Sequence, residues 1–351
     1  MSEPRVLLIY NQPVLPLDHP DSESEQEVLY SAQVVGDCLA GEGLPVARLG
    51  VGADPATLFE GLRATSPDVV FNLYEGTADQ GGSEAAVAGV MEWMRVPFTG
   101  CPSESMVLCR NKPLAKLLLT AAGVRTPEYF VVEDGARCQK NPLGWPVIAK
   151  PGREDGSVGI DQNAVVTSDR KLRDRVDYLI AQYGGPVLVE RFITGREIHA
   201  SLCEFDPTGQ PTVLPPAEIR FEPDESLWPI YSYDAKWKEQ SREYQMRPVD
   251  IPAKLPDDIV ERVRKAAVLT HRVLGCRDYA RVDLRVAPDG EVFVLEGNPN
   301  PSITSLTLET GLDLVGKNYD WFMATMARNA HARGGSVGVN PYGQAARAAS
   351  A

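Results

Sequence analysis

The sequence predicts a mixed α/β and α+β protein of three domains, and three observations carry that prediction. Its 351 residues exceed what a single hydrophobic core usually organises, so one small module is excluded. Apolar strand-like runs alternate with amphipathic helical runs through the first hundred or so residues, the pattern of a parallel sheet flanked by helices. From Glu197 onward the pattern turns antiparallel, with strand-like runs joined by turn residues.

The first domain, residues 1–102, opens with an apolar run over 6–10. A Pro-containing loop and a helix from about Glu25 follow, with Val28, Ala32, Val35 and Leu39 on one helical face. A strand over 46–49, a helix over 56–64, a strand over 69–72 and a helix over 83–94 continue the alternation, and Phe98, Thr99 and Gly100 close the unit. The second domain, 103–188, reads as a small α+β unit. It has a helix from near Asn111 to Gly123, strands over 129–132, 147–150 and 164–167, and an amphipathic helix over 168–183, and residues 187–191 lead the chain out. The charged run 170–175 is expected to be a solvated helix face. The third domain, 189–335, has strands over 197–205 and 212–219, a polar and aromatic stretch to Pro252, a helix over 257–274, a hairpin over 279–298 and a helix over 313–333. Residues 336–351 are small and polar, offer little to bury and are expected to be disordered.

Composition limits the partners. Lys and Arg number 35 against 48 Asp and Glu, a net charge of -13, so duplex nucleic acid and an anionic membrane surface are both repelled by the whole molecule. An anionic ligand needs a local basic site. The six cysteines lie far apart with no Cys-x-x-Cys pair and only four histidines beside them, which suits neither a disulfide scaffold nor a zinc centre and fits a reducing cytoplasm. The N-terminus offers only the short apolar run 6–10, too brief for a signal-peptide core, and no stretch has the length of a membrane span, so a soluble, unexported protein is expected.

The most informative segment is the hairpin over 279–298, turned by Pro288-Asp289-Gly290. An even-numbered loop, or an equivalent bulge, pairs Val282 with Gly297, Leu284 with Leu295 and Val286 with Phe293 on one apolar face. A three-residue loop would mix the two faces. The other face then sets Asp283 opposite Glu296 and Arg281 opposite Asn298. Two carboxylates so placed repel each other unless a cation intervenes. Two carboxylates and an amide carbonyl, with no His or Cys at hand, are hard oxygen ligands suited to Mg²⁺. The competing reading is a solvated strand face whose acids pair with Lys or Arg.

Two lysines suit phosphate: Lys112 at the start of a helix and Lys150 at the end of a strand. After Lys150 the loop through Gly156, Ser157, Val158 and Gly159 allows backbone N–H groups and the Ser157 hydroxyl to approach an anion, although an ordinary hairpin turn has similar composition. Neither a P-loop nor a Gly-x-Gly-x-x-Gly turn is present, so a nucleotide site here is of another kind.

Taken in order, these motifs resemble the ATP-grasp superfamily and specifically its D-alanine:D-alanine ligase-like branch, over nearly the whole chain. The match runs from Ser24-Glu25-Gln26-Glu27-Val28 through Pro97-Phe98-Thr99-Gly100, Asn111-Lys112, Pro146-Val147-Ile148-Ala149-Lys150-Pro151 and Gly156-Ser157-Val158-Gly159. It continues with Val189-Glu190-Arg191-Phe192, Gly195-Arg196-Glu197, Asp234-Ala235-Lys236-Trp237, Arg281-Val282-Asp283 and Glu296-Gly297-Asn298-Pro299-Asn300-Pro301.

The resemblance implies a three-domain ATP-grasp architecture with ATP between the central and C-terminal domains. Lys112 and Lys150 would contact phosphates or adenine-side groups, Glu190, Arg191, Phe192 and Ile193 would form the adenine hinge, and Glu197 would hold the ribose. The loop of Gly156, Ser157 and Val158 would close over the phosphates, and Lys236 would reach the γ-phosphate. Asp283, Glu296 and Asn298 would hold magnesium, Arg281 would stabilise an oxyanion, and Glu25 would bind the first substrate's ammonium. The implied activity is an ATP-dependent carboxylate-amine ligase working through an acyl phosphate on small-molecule carboxylate and amine substrates, with a homodimer as the family's usual assembly.

The chain departs from the family pattern in the amino-acid pocket. Gly156 and Trp237 stand where a serine and a tyrosine are usual, Asn72-Leu73-Tyr74-Glu75-Gly76 replaces a histidine-containing segment, Ser302 replaces a glycine and Thr307 a serine. ATP use is therefore expected more firmly than D-alanine use. A ligase for other amino acids or amines, an ATP-grasp small-molecule kinase and a non-catalytic nucleotide-binding protein remain as alternatives.

Overall fold

The computed structural model describes residues 3–14, 22–77, 81–133, 140–222 and 224–334, without the side chains of 22–26. The expectations for the Glu25 side chain and for the tail 336–351 therefore lie outside the described residues.

The N-terminal part comprises β1 (Val6–Asn11), α1 (Ser22–Gly41), β2 (Val46–Val51), α2 (Ala56–Thr65), β3 (Val69–Leu73) and α3 (Ser83–Met94). Its strands form a parallel sheet in the order β2-β1-β3, and Phe98 extends it by a parallel bridge to Val70. The wholly apolar strand VLLI is explained by burial on both faces: Leu7 and Ile9 pack toward α2 and α3, whereas Val6 and Leu8 pack toward α1. A helix absent from the sequence reading, α4 (Ser103–Arg110), follows directly.

The central part comprises α5 (Lys112–Ala121), β4 (Tyr129–Val132), β5 (Val147–Pro151), β6 (Val165–Val166), α6 (Asp169–Tyr183) and β7 (Val187–Arg191). Asn111 caps α5 by accepting the Leu114 N–H, and Ser168 caps α6 by accepting that of Lys171. The antiparallel sheet runs β4-β7-β5-β6, so β7 is an interior strand of this unit and not merely its exit. Leu172, Val176 and Leu179 of α6 cover one face. The expectation of a wholly solvated 170–175 run fails at Arg175, which is buried and bonds Asp161 at 3.0 Å and the Gly159 carbonyl at 2.7 Å.

The last part comprises β8 (Arg196–Cys203), β9 (Thr212–Val213), β10 (Ala217–Ile219), α7 (Tyr233–Trp237), α8 (Arg242–Gln245), β11 (Val249–Asp250), α9 (Asp257–Val273), β12 (Tyr279–Val286), β13 (Val292–Pro299), α10 (Leu306–Leu314) and α11 (Tyr319–Arg333). The sheet runs β11-β10-β8-β12-β13, with β9 beside β8. The strand expected over 212–219 is two short strands, because Pro215 and Pro216 cannot donate to a ladder. The helix expected over 313–333 begins only at Tyr319: Gly316 adopts a φ of +70° and Asn318 caps α11 through the Trp321 N–H. The buried face of α11 returns to the N-terminal sheet and packs with α1, tying the two ends of the chain together.

The hairpin register is corrected in its outer half. Ala287 and Glu291 bracket a three-residue turn in which Gly290 adopts a φ of +82°, and Leu284 faces Val294 while Val286 faces Val292. One extra residue, Leu295, is bulged out before Glu296. That bulge restores the register expected for Val282 with Gly297, Asp283 with Glu296 and Arg281 with Asn298.

Candidate active site

The polar residues of the C-terminal sheet share one face because β8, β12 and β13 keep period two. Glu197, His199 and Ser201 of β8 lie opposite Arg285, Asp283 and Arg281 of β12, and Asp283 and Arg281 lie opposite Glu296 and Asn298 of β13. The reverse face holds Ile198, Ala200, Leu202, Val282, Leu284 and Val294, buried against Ile259, Val263 and Ala267 of α9. Each such side chain contributes about 1.5–3 kcal/mol of burial if large and aliphatic, so the apolar face anchors the polar one. Above that polar face lies the inner surface of the central sheet, and an open cleft runs between the two.

Within it the acids are held by cations. Arg281 donates to both oxygens of Asp283, at 2.6 and 3.0 Å, and the Asn298 amide donates to Asp283 Oδ2 at 3.0 Å. Lys112 Nζ donates to Glu296 Oε2 at 2.6 Å, and Arg285 to Glu197 Oε2 at 2.7 Å. Glu190, 1% exposed, forms an ion pair with Lys150 Nζ at 2.6 Å through one oxygen and another with Lys116 Nζ through the other. His199 Nε2 stands 3.8 Å from Glu197 and 3.7 Å from Asp283.

These contacts set the charge states. Burial alone would raise the Asp283 carboxyl, but Arg281, His199 and Lys236 hold it well below the usual range. Burial likewise opposes ionisation of Glu296, and Lys112 and Lys150 override it, lowering the group to about 2. Burial would raise Glu190 too, and its two lysines bring it below its ordinary value. Burial lowers Lys116 despite that pairing, whereas Lys150 ends raised because Glu190 and Glu296 outweigh its burial. Basic lining residues (Lys150, Arg191, Lys236, Arg281, Arg285) outnumber acidic ones (Glu190, Glu197, Asp283, Glu296) among the described residues, a local positive site in an acidic protein.

The loop over the cleft is pinned from several sides. Gly156 and Ser157 adopt φ of +59° and +66°, and the Ser157 hydroxyl donates to the Tyr231 carbonyl at 2.9 Å, so here it is engaged with the protein. Trp237 Nε1 donates to the Gly156 carbonyl at 2.9 Å, and Lys236 Nζ lies 4.7 Å from the Trp237 ring centre. Arg110 of α4 holds Asp155 at 2.8 Å and Glu154 at 3.3 Å. Burial and Arg281 lower the Lys236 ammonium below its ordinary value.

Of the residues singled out in the sequence, Lys150, Gly156, Ser157, Glu190, Arg191, Phe192, Ile193, Glu197, Lys236, Arg281, Asp283, Glu296 and Asn298 line this one cleft. Lys112 joins it through Glu296 and Trp237 through Gly156, whereas Val158 lies in the covering loop without lining the cleft. Ser302 and Thr307 are not among its lining residues: Ser302 is 3.4 Å from Thr304, and Thr307 3.3 Å from Ser305 at the start of α10. Sequence reasoning missed Lys116 and Arg285. Lys116 is four residues beyond Lys112 on α5, and Arg285 two beyond Asp283 on β12, so helical and strand periods place both on the faces already chosen. It also missed Ile148, Ile160, Ile230 and Leu295, the apolar wall beside Phe192.

The donor set fits a hard divalent ion. Asp283 and Glu296 are both held ionised, and Asn298 spends its N–H donors on Asp283 and the Arg281 carbonyl, leaving its Oδ1 as an acceptor. Among the described residues no group of three or more His, Cys, Asp or Glu is placed to hold a metal by itself, so this set would need ligand oxygens to complete it.

Comparison with known proteins now identifies the architecture. The family described as D-ala D-ala ligase C-terminus matches residues 118–321, more than half of the chain. The D-alanine–D-alanine ligase of Gluconobacter oxydans is 30% identical over 292 residues, covering 82% of this chain and 88% of the relative, and that of Desulforudis audaxviator is 32% identical over 290 residues, covering 81% and 87%. The chain belongs to the D-alanine–D-alanine ligase family. A solved structure of the Bacillus anthracis D-alanine–D-alanine ligase complexed with ATP superposes with a TM-score of 0.72 at 21% identity, over 94% of this chain and 98% of that one, which shows the ATP-grasp fold. Within this D-alanine–D-alanine ligase fold, Gly156 and Trp237 are in direct contact, and no described helix is long and apolar enough to cross a membrane.

Proposed function

We propose that the protein is an ATP-dependent, ADP-forming carbon–nitrogen ligase that joins the carboxylate of one amino acid to the amine of a second. The observation that carries this reading is the pairing of Asp283 with Glu296 directly opposite, beside Asn298 and Arg281, on the floor of a cleft whose roof carries Lys150. Membership in a family whose curated relatives are named D-alanine–D-alanine ligase supports it and makes D-alanine the first substrate to try.

In this reading the adenine ring lies against Ile148, Phe192, Ile230 and Leu295, with the Glu190 to Ile193 backbone at its edge and Glu197 near the ribose. Lys112 and Lys150, with the loop of Gly156, Ser157 and Val158, meet the phosphates, and Lys236 approaches the terminal one. Asp283, Glu296 and Asn298 would hold magnesium, which when bound offsets charge on the transferring phosphoryl group. The first substrate's carboxylate attacks the γ-phosphorus, ADP leaves and an acyl phosphate forms. The second substrate's neutral amine then adds to the acyl carbon, and collapse of the tetrahedral adduct releases phosphate and the amide. Arg281 bonds Asp283 through Nε and Nη2, which leaves Nη1 for the oxyanion of that adduct. Glu25, Ser302, Thr307 and Trp237 belong to the amino-acid side of the proposal.

A cytoplasmic location and a homodimer form part of the same proposal. Trp93, 79% exposed on α3, and Tyr30, 64% exposed on α1, supply apolar surface for a dimer contact that sedimentation can test.

Incubation with ATP, magnesium and D-alanine, then with single D- and L-amino acids, tests the function. ADP and phosphate should appear in step with a dipeptide detected by mass spectrometry. A stable phosphorylated product without an amide, or no turnover with any acid and amine pair, overturns the reading.

A further inference from the structure

We propose that the carboxylate-supplying substrate of this ligase carries a second cationic group, an ω-ammonium, which pairs with Glu75. The inference rests on the ligase reading above and names the substrate class it prefers.

Glu75 follows β3, is exposed to solvent and lies within electrostatic reach of Lys236 of the cleft, and among the described residues its carboxylate makes no hydrogen bond or ion pair. Burial by the surrounding protein and repulsion from Glu27 push it up to about 7, with Asp155 adding in the same sense and Lys236 opposing. The acids that line the cleft are paired with cations, whereas Glu75, among the described residues, is not. A mobile cation relieves this repulsion without disturbing any pair the protein already makes.

A second observation marks the same corner as incomplete. Glu75 lines a small recess together with Asn72 and Asn300. Asn72 is 1% exposed; its Oδ1 accepts the Tyr74 N–H at 3.1 Å, which fixes the amide orientation and leaves Nδ2 without a partner. Asn300 Oδ1 accepts the Cys101 N–H at 2.8 Å, and its Nδ2 is likewise unpartnered. Gly100 permits that approach, since a Cβ there would come within 2.5 Å of Asn300 Oδ1. Two orphaned donors beside an unpaired acid call for an oxygen and a cation together, as an ammonium entering with a hydration water provides. The recess also meets Val28 and Ser31 of α1, the helix that carries Glu25, which places the group on the carboxylate-supplying substrate.

Ornithine and norvaline differ chiefly by the ω-ammonium and are the probes. Each enantiomer is titrated calorimetrically into the protein with magnesium and a nonhydrolysable ATP analogue, for the native chain and for Glu75→Gln. The native protein should bind ornithine about tenfold more tightly than norvaline, and Glu75→Gln should bring that ratio near one. In turnover the same substitution should raise KM for ornithine about tenfold more than for norvaline, with kcat for the two affected alike. Equal binding of the two probes by the native protein, or a ratio that survives Glu75→Gln, overturns the inference. Turnover of neutral amino acids without ornithine preference sinks this inference and leaves the ligase reading standing. Ornithine preference in binding without ADP release from any amino acid does the reverse.

Discussion

Arg281 holds Asp283, two residues further along the same face of β12, through two bonds of 2.6 and 3.0 Å. The fork geometry fixes the carboxylate while leaving a lone pair on Oδ1, which a lysine cannot do with a point charge. Arg281→Lys should therefore lower kcat for amide formation by about 100-fold while nucleotide affinity changes far less. Steady-state kinetics and nucleotide titration check this, and an unchanged kcat would remove Arg281 from the chemistry.

Glu190 is the shared partner of Lys116 and Lys150, all three almost inaccessible to water. Glu190→Gln strands two buried ammonium groups and should destabilise the fold by about 3–5 kcal/mol, measured by urea unfolding. Lys116→Met should do much less harm, because Lys150 still neutralises Glu190. Equal losses for the two variants would show that the triad does not act as described.

Acid should act through the same groups. Asp283, Glu190 and Glu296 are all lowered in the folded protein, Glu296 to about 2, so they bind fewer protons than the unfolded chain does. Their contribution to stability is fully present above the unfolded carboxyl pKa of about 4.3 and is lost as pH falls through the folded values. The contribution of these three acids to the unfolding free energy should drop between about pH 4.5 and 2, and Glu296→Gln should flatten that drop. An unaltered slope would place the acid sensitivity elsewhere.

Much of the site was legible because strand period two links residues that are neighbours in space. Asp283, Glu296, Arg281 and Asn298 were correctly opposed on the strength of the apolar pattern alone, and the motifs placed Lys150 and Glu190 in the same cleft. The outer hairpin was not legible, since a three-residue turn followed by a bulge at Leu295 gives the same inner register as an even turn without one. Glu75 stood inside a segment noted only as a departure, and its isolation depends on Glu27 and Asp155, which come from distant parts of the chain. The break between α10 and α11 was signalled by Gly316 and Asn318, which the helix expected over 313–333 passed over.

Trp237 replaces a hydroxyl-bearing residue with an indole whose Nε1 reaches the Gly156 carbonyl at 2.9 Å. Trp237→Phe keeps the ring under Lys236 and removes one hydrogen bond, a change of about 1 kcal/mol. KM for ATP should rise about fivefold if the loop closes over nucleotide with this bond in place. An unaltered KM would mean that the contact forms only in the absence of ATP.

The most direct test of the whole account is a crystal structure with magnesium and a nonhydrolysable ATP analogue. Oxygens of Asp283, Glu296 and Asn298 should coordinate magnesium at about 2.1 Å beside the β- and γ-phosphates, with Lys150 on the phosphates. Nucleotide bound elsewhere, or these three side chains turned away from the ion, would contradict it.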